Sequence, residues 1–187
     1  MKVYRKLVLS IETGEVLQED SYQYSGPVAQ SAAGTWKIYA KAKKYIGAGT
    51  ITLGAGVFKM QLHRASASAA ILVLSTRSTS ASIPGEITAT PGATATGGYA
   101  AGGRQLVPAT AQWTVGASAK QYKFTYTTAG LVFTASGGNL NNIKYALIKN
   151  SAGKLVCFCT LSSTPFTISS PNTLTVLPAA TGVFTLA

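Results

Sequence analysis

Four residues of this chain have side chains suited to a reactive or metal-holding centre: His63, Glu86, Cys157 and Cys159. His63 is the only histidine, and Glu86 is the only acidic residue after Asp20. A Ser-His-acid relay would need Glu86 or an acid from the N-terminal segment to orient the imidazole. Paired carboxylates for glycoside hydrolysis are excluded within residues 37–187, which hold one acid. His63, Cys157 and Cys159 offer three metal ligands without a Cys-x-x-Cys pair, short of a tetrahedral zinc set. Calcium would require several carboxylates. No catalytic, cofactor-binding or metal-ligating residue is assigned, and an enzyme is not expected. His63 reads instead as a strand residue at a surface or half-buried position. The two cysteines, two apart in "KLVCFCTL", share a strand face and read as small semi-buried hydrophobes rather than a disulfide framework.

Two further segments invite a binding role. "TGGYAAGGRQL" at 96–106 is glycine-rich but lacks the GK[ST] ending of a phosphate-binding loop. It reads as a strand-to-strand loop needing positive φ, on which Tyr99 and Arg104 would make surface contacts. "TWKIYAKAKKYIGAG" brings Lys37, Lys41, Lys43 and Lys44 close together. Its pattern fits a short helix or a strand. It would be a solvated connector, or would meet an acidic neighbour or a nucleic-acid backbone.

The charge is segregated. Residues 1–36 carry three basic residues against Glu12, Glu15, Glu19 and Asp20, a net of −1. Residues 37–187 carry thirteen against Glu86 alone, a net of +12. Such a sign difference places the two parts in separate environments. Charged residues make up only 11% of the chain, against about 25% in ordinary globular domains. No apolar run reaches the roughly 18 residues of a membrane-spanning helix, and membrane association is not expected. The apolar run of "MKVYRKLVLSIETGE" is short and interrupted, so a secretory signal is not expected either.

The elements that would position these residues are mostly strands. Residues 3–24 read as a β-hairpin: Leu7, Leu9 and Ile11 share one face, "ETGE" turns, and Tyr22 and Tyr24 share a face on the return. A lone two-stranded hairpin is marginal in water and needs something to lie against. "SGPVAQSAAG" reads as an extended connector. Candidate strands follow at 57–63, 70–75, 104–107, 110–115, 121–126, 130–135, 143–149, 154–161, 165–169, 173–177 and 182–186, with "KNSAGK" as a hairpin turn. "ASASAAILVL" is also compatible with a helical turn. The expected organisation is an N-terminal hairpin arm (1–36), a basic connector (37–49) and a β-domain (50–187). The expected class is all-β, a β-sandwich of immunoglobulin-like or jelly-roll-like type.

From "GAGTITLGAGVFKMQLH" to the end, the chain resembles a group of small structural proteins of tailed bacteriophages. The resemblance rests on "VFKMQL", "GGYAAGGRQL", the strand with Trp113 and Thr114, "LVFTASGGNLNNIKYALIKNSAGKLV" and the terminal "TGVFTL". Separately, "KVYRKLVLSIETGEVLQEDSYQYSGPVA" resembles N-terminal segments of phage virion proteins. The family carries more acidic residues around the middle, from which this chain departs. The resemblance implies a β-sandwich virion component, assembled in the host cytoplasm. It would be a head–tail or collar component, a short fibre or a capsid decoration. The hairpin would then be a docking arm, with Leu7, Leu9, Ile11, Glu12, Glu15, Tyr22 and Tyr24 meeting portal, tail or capsid subunits or further copies of the chain. The alternatives are a tail-tip receptor- or glycan-binding module, presenting Tyr99, Tyr122 or Tyr126, and a DNA-contacting protein inside the head. The thinly spread basic residues make nucleic acid the less favoured partner.

Overall fold

The computed structural model describes residues 4–9, 16–22, 28–30, 35–87, 99–106, 113–115, 122–178 and 182–186. Its spine is an eleven-residue strand, β10 (Leu140–Asn150). β11 (Leu155–Thr160) folds back antiparallel beside it, and β5 (Phe58–Arg64) pairs antiparallel as well. β12 (Phe166–Ile168) takes up the first residues of β10. Two-residue strands close the sheet: β4 (Lys37–Ile38) beside β11, and β6 (Arg104–Gln105) beside β5. The turn between β10 and β11 is the expected "KNSAGK". The Asn150 side-chain oxygen accepts the Lys154 amide at 2.8 Å. Gly153 takes φ +78°, open to glycine without steric cost.

This sheet is covered on both faces, because alternate residues of its strands enter two separate cores. Phe58, Met60, Leu62, Ala146, Ile148, Cys157 and Cys159 face the larger core. Tyr145, Leu147, Leu155 and Phe158 face the smaller one. With both faces buried, β11 loses the apolar–polar alternation of a half-exposed strand, and "LVCFC" is buried throughout. Each fully buried side chain of this size contributes roughly 1.5–3 kcal/mol.

The larger core also takes Phe124, Leu131, Phe133, Leu174, Val176 and Phe184 from two three-stranded sheets. In one, β13 (Thr173–Val176) lies between β9 (Leu131–Thr134), antiparallel, and β3 (Val28–Gln30), parallel. In the other, β8 (Tyr122–Phe124) lies between β7 (Trp113–Val115) and β14 (Phe184–Leu186), both antiparallel. The smaller core is closed by helical segments: α1 (Ala40–Gly47), a 3₁₀ turn at Ala65–Ala67 and α2 (Ser68–Ile71). The class is therefore all-β, in mainly antiparallel sheets with few helices.

The remaining strands, β1 (Tyr4–Leu9) and β2 (Val16–Tyr22), form an antiparallel pair of their own, with Leu7 opposite Glu19 and Tyr4 opposite Tyr22.

Three expectations need correction. The segment 70–75 is not a strand. α2 occupies its start, and Ala70 and Ile71 cover the smaller core. A five-residue apolar run carries no period that separates strand from helix, and here its alanine-rich lead favours the helix. The segment 37–49 is not a solvated connector. It holds β4 and α1, with Tyr39 and Ala42 fully buried. The expected connector after the hairpin also contributes β3 to the body. Among the described residues, no helix is long and apolar enough to cross a membrane.

Candidate functional site

The acid that the sequence leaves alone in the body proves to be the centre of a polar knot. β5 carries Leu62, whose amide donates to the Tyr99 hydroxyl oxygen at 3.1 Å. The Tyr99 hydroxyl in turn donates to Glu86 Oε1 at 2.8 Å. The Gly102 amide donates to the same oxygen at 2.7 Å. Glu86 is held in place by its own backbone, which bridges to His63, while the Ile87 amide donates to the Leu62 carbonyl at 2.9 Å. One ionised oxygen thus receives two donors, the stronger class of hydrogen bond.

The glycine-rich segment is shaped by this closeness. Gly103 takes φ +84°, and a Cβ there would collide with the Met60 carbonyl oxygen. Only glycine lets the loop run so near β5. The chain then enters β6, and Arg104 donates from Nη1 to the carbonyl of Val132 on β9. The loop therefore links the six-stranded sheet to β9. Tyr99 is 1% exposed, so its expected surface contact is corrected to a buried one. Arg104, half-buried, makes an internal contact rather than the expected surface one. Burial, then the neighbouring Glu86 charge, pushes the Tyr99 phenol well above its usual range.

His63 lies on β5 and is 1% exposed, more enclosed than the surface or half-buried position expected. Its Nδ1 faces the Pro84 carbonyl at 3.3 Å. A carbonyl can only accept, so the ring proton is assigned to Nδ1. Burial holds the imidazole pKa below its usual 6.5, partly offset by the Pro84 carbonyl and Glu86. The hydroxyl of Ser68 is engaged elsewhere, donating to the Ala65 carbonyl at 2.6 Å and lying 2.6 Å from the Tyr145 hydroxyl. Cys157 and Cys159 are free thiols sealed in the larger core, and burial raises both their pKa values. Among the described residues, no three His, Cys, Asp or Glu side chains stand close enough to hold a metal ion. The knot of Glu86, Tyr99 and Gly102 can hold a loop against a sheet, and it leaves its carboxylate oxygen doubly engaged.

A second feature lies at the β4 edge. Tyr39, Ala42, Tyr45 and Ile46 turn α1 inward, while Lys41, Lys43 and Lys44 are exposed. Lys37 is exposed on β4. Lys154, at the start of β11, brings its ammonium 5.1 Å from the Tyr45 ring centre. Lys37, Lys41, Lys43 and Lys44 are thus exposed within eight residues, Lys154 reaches the Tyr45 ring of α1, and α1 itself contains no acid. Lys154 joins only through the strand pairing, so no local sequence signal groups it with the others.

Aromatic side chains form a third feature. In the larger core Phe124 stacks on Phe184 and meets Phe58 edge to face. Trp113 and Tyr122 stack at 5.7 Å and 15°, and Tyr122 is 46% exposed. Tyr126 is buried, its hydroxyl donating to the Val176 carbonyl at 3.0 Å. Of the three tyrosines considered for a receptor surface, only Tyr122 reaches solvent.

Among the proposed arm residues, Leu7 and Leu9 fall on β1 and Tyr22 on β2. Ile11, Glu12, Glu15 and Tyr24 lie outside the described residues. No protein family, curated protein or solved structure matches this chain.

Proposed function

We propose that the chain is a non-enzymatic structural protein of a tailed-phage virion, with a β-sandwich body and an N-terminal arm that docks to other virion subunits. The carrying observation is the segregation of charge. The body's one carboxylate is engaged by Tyr99 and Gly102, while the other four acids lie between residues 12 and 20. The hairpin strands hydrogen-bond to each other and to no third strand among those described. A pair of strands needs a further surface for stability. The sandwich reading is supported by the larger core, which takes residues from the six-stranded sheet and from both three-stranded sheets.

The test is particle assembly with a chain lacking residues 1–24, which spares β3 and Trp36 of the body. The expected result is loss of the protein from otherwise complete particles. Incorporation at normal occupancy would remove the docking role.

A second reading, a receptor- or glycan-binding module at a tail tip, is favoured by the stacked Trp113–Tyr122 pair and its exposed ring. Such a platform would bind glycans through CH–π and stacking contacts. A glycan array without hits would end that reading.

A further inference from the structure

We infer that the lysine face formed by Lys37, Lys41, Lys43, Lys44 and Lys154 is the acceptor surface for the acidic hairpin of a second copy of this chain. The inference rests on the reading of the hairpin as a docking arm and names the surface that receives it.

The one acid among the described side chains, Glu86, is engaged by Tyr99 and Gly102 rather than by a lysine. Lys41 and Lys44 are three apart on α1, a spacing that sets like charges side by side on a helix. Lys41 stands in the first turn, where the helix dipole already favours anions. α1 itself supplies no acid to offset them. The face is nevertheless well supported. Tyr39 donates its hydroxyl to the Ile71 carbonyl at 2.9 Å, and its amide donates to Val156 at 3.1 Å. The lysines therefore project from a fixed helix rather than a loop.

The hairpin has the opposite character. "SIETGEVLQED" at 10–20 holds four acids and no basic residue. Asp20 and Glu19 fall on β2, which among the described residues pairs with β1 and no other strand. Four acids within nine residues are complementary in sign to the exposed Lys37, Lys41, Lys43 and Lys44. Charge complementarity of this kind fixes orientation and accelerates encounter, and it is screened by salt. One chain carries both halves, so head-to-tail contacts between copies would propagate or close into a ring.

The experiment uses the purified full chain in sedimentation velocity at low and high salt. Two variants accompany it. One reverses the face (Lys41→Glu, Lys43→Glu, Lys44→Glu), at positions exposed in the folded chain. The other reverses the arm (Glu12→Lys, Glu15→Lys, Glu19→Lys, Asp20→Lys). The unmodified chain is expected to self-associate at about 50 mM salt and to weaken at least about tenfold by about 0.5 M, where the screening length falls below about 5 Å. Each variant alone is expected to remain monomeric at low salt. Mixing the two should restore association, because the reversed arm then meets the reversed face. A misfolded variant could not be rescued by mixing, so the swap separates lost charge from lost fold. Three results would overturn the inference: a monomeric parent at low salt, association unchanged by reversing the face, or association that requires added DNA. Loss of the shortened chain from particles, together with self-association that ignores the face, would leave the arm reading standing and the lysine face without this role.

Discussion

Glu86 and the four hairpin acids are the same functional group in two settings. Glu86 accepts from a buried tyrosine and a backbone amide. Glu12, Glu15, Glu19 and Asp20 follow one another within nine residues of sequence, and Glu19 and Asp20 fall on β2, which among the described residues pairs only with β1. The first kind of charge has defined donors and belongs to folding. The second kind is clustered in sequence, and its proposed use lies beyond the single chain. The contrast teaches that the scarcity of acids in the body is not a scarcity of function for them. The one that remains is where a loop must be held close to a strand.

The contrast can be broken experimentally. The largest effect is expected from Glu86→Ala, which takes the acceptor away from the Tyr99 hydroxyl and the Gly102 amide. Removing a charged acceptor from buried donors should cost about 2–3 kcal/mol in urea unfolding. Glu86→Gln, which keeps an oxygen there, should cost less than half as much. A loss below about 0.5 kcal/mol for the alanine variant would mean that the knot is incidental.

Gly103→Ala comes next. The new Cβ would press on the Met60 carbonyl at φ +84°, and about 2 kcal/mol of destabilisation is expected from strain of this kind. Gly102 also has a positive φ but open space around its Cβ position. Its alanine variant should therefore lose less, which separates backbone conformation from contact.

The third effect is one of pH. Burial lowers the His63 pKa in the folded chain below 6.5. The unfolded chain therefore binds the proton first. The stability from neutral His63 is present above pH 6.5 and is lost as pH falls through the folded pKa. One proton gives a slope of about 1.4 kcal/mol per pH unit. Thermal melts between pH 7.5 and about 5 should show this decline, and His63→Gln should flatten it.

The smallest effect sharpens the comparison from the other side. Glu12→Ala, Glu15→Ala, Glu19→Ala and Asp20→Ala, made together, should leave the unfolding midpoint of the body unchanged within about 0.5 kcal/mol. A larger loss would give the hairpin acids an internal role like that of Glu86.

Much of the β-structure was legible in the sequence. β10, β11 and β13 follow from short β-branched and aromatic runs closed by Gly, Asn and Pro, and the turn at 150–154 from its Asn and Gly. α1 was not, because "WKIYAKAKKY" mixes a strand-like start with a helix-like end, and the structure uses both. Tyr99 was misplaced on the surface because a glycine-rich loop signals exposure. What buries it is a donor–acceptor chain to Leu62 and Glu86, partners 37 and 13 residues away. The trace of that chain in the sequence was the isolation of Glu86 itself. Lys154 joins α1 through the packing of α1 beside β11 and Tyr45, which no local spacing encodes.

The sealed thiols of β11 have a practical consequence. Cys157 and Cys159 are fully buried, and their raised pKa values keep them protonated near neutral pH. Thiolate is the reacting form, so maleimides and oxidants should pass these residues by while the fold is intact. A cysteine introduced at exposed Ser151 would then be the one thiol to take a fluorophore or a spin label. The wild-type background already serves as the blank for distance measurements between copies.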